Sequence, residues 1–377
     1  MNLLAIAPYL PSRFFPHYGT FVRDQYEHLA RHFPGMSVVA PMKWASRKGW
    51  LWNDRPLAFS GLNIRLRTPR YPTCGTFTLF GLCPTIYFFR RSILRAVRRE
   101  GLVFQATYGH FLDPAGICAV DLARLWPGAK SFIAMGEAEL EAYDMRFGRN
   151  RVSRYLNAAS GLVCVSHKNR RICQEHYGVP GERILLAPNG VDPELFRPRS
   201  QAEARRRLGL PMEKRIAIFV GYLIPRKGVS IVTAAVSSIP GIGLVLLGDG
   251  PVPPGTENLL HAGVVDHSEV PWWLSAADVF VFPSTAEGCP NAVLEAAACG
   301  LPIVASGIPE IMELGLDGRV VLAKPGDPAA FAAGIRTVLA QAKADPRGDL
   351  AGQGTRKPWS IEARMGRIAE WIKSFGS

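Results

Sequence analysis

The chain has 377 residues, 48% of them hydrophobic and 20% charged, with 44 Lys and Arg against 31 Asp and Glu, a formal net charge of +13. At roughly 150 residues per domain that length allows two domains with sizeable cores, and the composition excludes a disordered, collagen-like or low-complexity chain. Seven cysteines without a C-x-x-C pair argue against a disulfide scaffold or a zinc site and point to a reducing compartment.

The elements follow in chain order. Met1 to Ser12 lacks a basic leader and soon reaches Pro8 and Pro11, so Leu3 to Ala7 reads as a first strand rather than a targeting segment. Phe21 to His32 reads as a helix and Met36 to Ala40 as a strand. Tyr87 to Arg99 is a basic amphipathic helix, followed by an expected strand at Leu102 to Ala106. A helix is expected at Ala115 to Leu125, with strands at Ser131 to Met135 and Gly161 to Val165. Turn residues then accumulate from Asn189 to Pro211, and the alternation restarts. Strands are expected at Arg215 to Val220, Gly243 to Leu247, Val279 to Phe282, Leu301 to Ser306 and Arg319 to Leu322. Helices are expected at Val229 to Ser238, Val270 to Ala276, Pro290 to Cys299 and Pro328 to Ala342. Strands alternating with helices make parallel sheets covered on both faces. The expected class is therefore α/β, with two Rossmann-like domains facing across a cleft, and ligands at the carboxyl ends of the strands.

The charge is unevenly placed. Between Lys43 and Arg99 stand twelve Lys and Arg against one acid, Asp54, so +11 of the +13 lies in this window, together with ten aromatic residues. Three readings apply: a solvated basic face, nucleic-acid binding through interleaved aromatics, or docking on an anionic lipid surface. No nucleic-acid recognition motif accompanies the run, and docking on an anionic membrane surface through 43–99 is the expectation. Tyr71 to Phe89 is free of charge over a near-spanning length, yet its two prolines, two glycines and four threonines suit a bilayer core poorly.

Two segments carry the chemistry. In Glu287-Gly288-Cys289-Pro290-Asn291, continuing through Glu295 to Gly300, Pro290 fits a first helical position and Gly300 the residue past the end. A helix N-terminus there suits a phosphate. Glu295 stands in an otherwise apolar helix, where a carboxylate needs a partner: paired sugar hydroxyls or a neighbouring basic residue both satisfy that. In Gly221-Tyr222-Leu223-Ile224-Pro225-Arg226-Lys227-Gly228, two cations at a strand's carboxyl end are placed to neutralise a diphosphate, or form a solvated turn.

Taken in order, Val165-Ser166, Pro188-Asn189-Gly190-Val191-Asp192, the Lys227-Gly228 turn, Gly248-Asp249-Gly250-Pro251, Ala277-Asp278-Val279, the two glutamates Glu287 and Glu295, and Gly300-Leu301-Pro302 resemble the retaining GT-B glycosyltransferases of family 4. Gly19-Thr20-Phe21-Val22-Arg23 resembles the family's first half more loosely. The resemblance implies that Glu295 holds a nucleotide ribose. Glu287 with Gly288, Cys289, Pro290 and Asn291 would hold the donor sugar and diphosphate. Lys227 and Arg226 would stabilise the leaving diphosphate, and Gly19 would be a further donor contact. It also implies a nucleotide-sugar donor, UDP- or GDP-linked, with no separate cofactor and no metal, consistent with the lack of an Asp-x-Asp motif.

The sequence departs from the family at three places. Tyr222 stands where an arginine is usual. Met135 replaces a histidine before Gly136-Glu137, with His110 as a candidate catalytic substitute. The stretch from Gly250 to His261 is too short for the helix usual there. The expectation is a cytoplasmic enzyme, peripheral at the inner face of a bacterial membrane. It would extend a glycan or lipid-pyrophosphate-linked acceptor, and would not bind nucleic acid. The alternative is a non-catalytic nucleotide-sugar-binding protein. Residues 1–188, with 360–377 packed back, would form the acceptor side and 189–359 the donor side.

Overall fold

A computed structural model describes residues 1–46, 49–50, 54, 56, 59, 64–73, 83–316, 318, 320–344 and 359–376. Of the basic segment, Arg47, Lys48, Trp52 and Arg55 therefore lie outside the described residues, as does Arg319 of the expected last strand. The chain divides into two compact units, Met1–Pro188 with Ile361–Ser377, and Asn189–Ser360.

The first unit is built on the strands β1 (Leu3–Ile6), β2 (Ser37–Val39), β3 (Arg65–Arg67), β4 (Ala106–His110), β5 (Lys130–Met135), β6 (Gly161–Cys164) and β7 (Ile184–Leu186). They pair in the order β7-β6-β5-β4-β1-β2-β3, all parallel. Around the sheet lie α1 (Thr20–Ala30), α2 (Pro84–Arg99), α3 (Ile117–Leu125), α4 (Ala142–Phe147), α5 (Arg149–Ala158) and α6 (His167–Arg171). Strands buried on both faces need apolar side chains throughout, and Leu3, Leu4, Ala5 and Ile6 are all buried.

One expected strand is displaced. Leu102 to Ala106 does not form the ladder: pairing runs from Ala106 to His110, opposite Leu3 to Ile6. The reason is tertiary. Leu102 N–H closes the end of α2 on Val97 O at 3.0 Å, and Val103 is left 71% exposed. Phe104 packs on Trp126. The polar Thr107 enters the sheet because its hydroxyl donates to Ala119 O at 2.9 Å. Gly109 is required by close approach, since a Cβ there would lie 2.6 Å from Ala115 O. The C-terminal helix Ile361–Ser374 seals this unit. Its Ile361, Met365, Ile368, Ala369 and Ile372 are buried in the same core, and the Trp371 ring fills the space left by Gly161.

The second unit carries β8 (Arg215–Val220), β9 (Ile242–Leu247), β10 (Leu259–Gly263), β11 (Val279–Phe282), β12 (Ile303–Ser306) and β13 (Val320–Ala323). Their order is β10-β9-β8-β11-β12-β13, again all parallel. Helices α7 (Gln201–Leu208), α8 (Val229–Ser237), α9 (Val270–Ala276), α10 (Asn291–Ala298), α11 (Pro309–Met312) and α12 (Pro328–Ala344) cover it. No helix forms between Gly250 and His261. In both units the first strand lies between the second and fourth, so the chain leaves in opposite directions on either side of it. In sheets of this order, ligands bind at the carboxyl ends of those strands.

At the opposite, amino end of β11, Asp278 accepts from Ile216 N at 2.7 Å, Arg205 at 2.8 Å and Arg215 at 3.0 Å. Arg205 and Asp278 are only 5% and 8% exposed. A buried cation stripped of its carboxylate is expensive. Asp278→Ala is therefore expected to lower the unfolding free energy of this unit by about 3–5 kcal/mol in urea titration. Replacing both partners with apolar residues (Asp278→Leu with Arg205→Met) should recover most of the loss. A loss below about 1 kcal/mol for the single change would place the pair among ordinary surface bridges.

Candidate active site

In the second unit the strands at the reversal point are β8 and β11. After β8 the chain turns through Gly221 (φ 150°) and a short turn at Pro225–Lys227 into Gly228 (φ 73°), which opens α8. A Cβ on Gly228 would lie 2.4 Å from Pro283 O, so only glycine lets this turn sit against the end of β11. A Cβ on Gly248 would lie 1.8 Å from Gly221 O, and Leu223 N donates to Asp249 O at 2.8 Å. Three strand ends are thus locked together by backbone contacts.

The lock brings Lys227 to Glu287. Lys227 Nζ donates to Glu287 Oε1 at 2.5 Å, Ser284 Oγ donates to the same oxygen at 2.5 Å, and the ammonium lies 5.2 Å from the Phe282 ring centre. Arg226 approaches that oxygen at 3.8 Å while donating to Ala286 O. Glu287 is 5% exposed. Burial lowers the Lys227 pKa below the ordinary lysine value, and the Glu287 carboxylate opposes that shift. Two cations against one carboxylate leave positive charge in excess, next to the N-terminus of α10. Gly288 and Pro290 are buried in the loop between them. Pro290 precedes the helix instead of opening it: its ψ of 92° is extended, and Asn291 is the first helical residue.

Asn189, which locally is only part of a turn, is the residue that fixes this loop. Its N–H donates to Cys289 Sγ at 3.4 Å and its Nδ2 to Asn291 Oδ1 at 2.8 Å, across about a hundred residues of sequence. On the same helix Glu295 meets His267 Nε2 at 3.3 Å, and the His267 ring lies 5.3 Å from Phe196. Of the two readings open for Glu295, the basic neighbour is therefore present; its side chain still retains 13% exposure. Nothing local in the sequence marks His267, because its partner is 28 residues away.

Two family models match the chain: Glycosyltransferase Family 4 over residues 53–195 and Glycosyl transferases group 1 over residues 214–341, together more than half of it. The chain is a glycosyltransferase that joins a family 4 domain to a group 1 domain. TuaC of Bacillus subtilis strain 168, named for teichuronic acid biosynthesis as a glycosyltransferase, is 26% identical over 352 residues, 89% of this chain and 88% of that protein. Among solved structures, sucrose-phosphate synthase from Thermosynechococcus elongatus superposes with a TM-score of 0.79 at 19% identity, covering 100% of this chain and 99% of that one. HepE of Anabaena, in complex with UDP-glucose, gives 0.73 at 17% identity over 99% of both chains. The fold is GT-B.

In the first unit of this glycosyltransferase the reversal point lies between β1 and β4. Gly19 (φ 82°) precedes α1, and a Cβ there would strike the Tyr9 ring at 2.6 Å. His110 ends β4 with 4% exposure, boxed by Phe111 at 4.7 Å, Phe21 at 5.6 Å and Tyr26 at 6.2 Å between ring centres. Burial, aided by the charge of Arg364, drives its pKa down to about 3, so the imidazole is neutral in the working range. Among the described residues no group of three or more His, Cys, Asp or Glu is placed to hold a metal ion.

A native His110 that refuses its proton until about pH 3 loses ground to the unfolded state, which protonates near 6.5, as pH falls between those values. Wild type is expected to lose about 3 kcal/mol more stability than His110→Phe between pH 7 and pH 4, measured by denaturant titration. Equal losses would mean the imidazole is not held neutral.

Proposed function

We propose that the enzyme transfers a sugar from a nucleotide-sugar to a lipid-linked or surface-glycan acceptor, with retention of anomeric configuration and no metal requirement. The observation that carries the reading is the pairing of Lys227, Arg226 and Glu287 at one strand end, a helix away from Glu295. Departure of a nucleoside diphosphate concentrates negative charge on its outer phosphate, and preorganised cations lower that barrier. Lys227 and Arg226 take this role, assisted by the amide groups at the start of α10 around Cys289, Pro290 and Asn291. Glu287 orients the donor sugar and keeps Lys227 in place. Glu295, steadied by His267, accepts the ribose hydroxyls. The leaving phosphate takes the acceptor proton on the same face, which preserves configuration. HepE's complex with UDP-glucose supports a donor of this class, and TuaC, named for teichuronic acid biosynthesis, supports a polysaccharide-type product.

The first unit takes the acceptor side in this reading, and its α2 helix supplies the docking surface. Phe89, Ser92, Ile93, Ala96 and Val97 are buried, which turns Tyr87, Arg91, Arg95, Arg98 and Arg99 outward at helical spacing. Tyr87 is 49% exposed, and its hydroxyl accepts from Arg91. An amphipathic ring beside a row of arginines suits an anionic headgroup layer. No helix among the described residues is long and apolar enough to cross a membrane.

Calorimetric titration with UDP, GDP and ADP should show one nucleotide binding, weakened at least about tenfold by Glu295→Ala, the loss of a charged hydrogen-bond acceptor. Turnover on lipid extract should stop with Lys227→Ala, and the wild-type product should keep the donor's anomeric configuration by NMR. Binding indifferent to Glu295, or an inverted product, overturns the assignment. Co-sedimentation with anionic vesicles should fall in high salt and in the triple variant Arg91→Ala, Arg95→Ala, Arg98→Ala. Equal binding to neutral vesicles would sink the docking surface.

A further inference from the structure

Three loops of the first unit meet beside its reversal point, after β4, β5 and β6. Phe111 takes a positive φ of 65°, and its ring lies where a Cβ on Gly136 would be 3.1 Å away. The next residue, Glu137, accepts from Leu112 N at 2.7 Å through Oε1. Its Oε2 is buried without a hydrogen-bond partner among the described residues. Asn169, fully buried, donates through Nδ2 to Met135 O and Glu137 O, both at 3.1 Å, and holds the loop in this shape. Asn169 Oδ1 and His110 Nδ1 are likewise buried and unpartnered. Orphaned polar atoms cost free energy, so several of them at a ligand crevice point to a polar ligand. Aromatic rings stand alongside: Tyr9 lies 6.3 Å from Phe111 and 4.3 Å from Tyr18, which is 42% exposed.

We propose that Glu137 is a sugar-binding residue, whose Oε2 takes the hydrogen bond of a ring hydroxyl from one of the two saccharide substrates. This rests on the donor-and-acceptor reading above and adds a residue to it. Apolar ring faces beside a hydrogen-bond acceptor match a sugar, which presents C–H groups on its faces and hydroxyls at its edge. A phosphate fits badly. Of the charged groups near Glu137, Asp113 is also a carboxylate, Arg146 is paired with Asp113, and Lys168 Nζ donates to Ala138 O at 2.8 Å. Tyr143 and Cys173 also feel the Glu137 carboxylate. Burial, outweighing the pull of the nearby backbone N–H groups of Leu112, Glu137 and Gly136, raises the Glu137 pKa to about 7. The ionised form is the stronger acceptor of a hydrogen bond from a sugar hydroxyl, and protonation weakens it.

Glu137→Gln and Glu137→Ala test this. Glutamine keeps the shape and removes the buried charge, which costs stability as pH rises through about 7, so the variant should melt no lower than wild type at pH 8. With Glu137→Gln, kcat/KM is expected to fall roughly 10- to 100-fold, with loss of the acidic limb near pH 7 and unchanged nucleotide affinity. A raised donor KM identifies the transferred sugar as the ligand; a raised acceptor KM identifies the acceptor sugar. Saturation-transfer NMR with a panel of methyl glycosides reads the same contact without turnover: wild type should show it and both variants should lose it. Glycoside contact and kinetics unchanged in a folded Glu137→Gln protein would overturn the proposal. Absence of nucleotide binding by wild type would instead overturn the donor site, leaving the glycoside measurement to decide Glu137.

Discussion

The second unit turns on a buried ion pair. A lysine and a glutamate, from loops sixty residues apart, share one hydrogen bond of 2.5 Å in a place where neither would be stable alone. The pair exists because β8 and β11 are neighbours in the sheet and because Gly228 lets one loop lie on the backbone of the other. Ser284 and Phe282 complete its surroundings. A group held this way cannot reorient freely, so its charge is in place before a leaving group arrives, and preorganised charge acts without a reorganisation cost.

The two units apply one topological rule to different chemistry. Each carries its candidate site residues at or beside the point where the strand order reverses. In the second, the residues gathered there are cationic and small, and suit a diphosphate. In the first they are aromatic, with a neutral imidazole and a half-buried carboxyl, and suit a neutral polyol. Backbone topology fixes the place, and side-chain type at the strand ends fixes the ligand.

Charge arithmetic behaves in a similar way. The run from Lys43 to Arg99 is less cationic in space than in sequence, because acids beyond its ends fold onto it: Glu100 pairs with Arg67, and Asp121 with Arg90. Asp54, its single acid, is buried and accepts from Ser12 Oγ and Phe14 N, pinning the loop that leads to Gly19. Among the described residues, Arg91, Arg95, Arg98 and Arg99 stand together on the outer face of α2.

The sequence by itself determined the α/β class, most of the sheet strands, helices α1 to α3, α8 to α10 and α12, and the glycine turns at 221–228 and 248–250, because these depend on local periodicity and on conformations that few residues adopt; β3, β7, β10, α4 to α7 and α11 it left unmarked. It also pointed to Glu287, Glu295, Arg226 and Lys227 as a group, through their order along the chain. It misplaced β4, whose Thr107 and His110 are tolerated only because α3 and an aromatic box receive them. It gave no sign that Asn189 holds Asn291, that His267 meets Glu295, or that Glu137 carries a buried, unpartnered oxygen. Only the tertiary structure decided these, since each is a contact or an environment created by residues far apart in sequence.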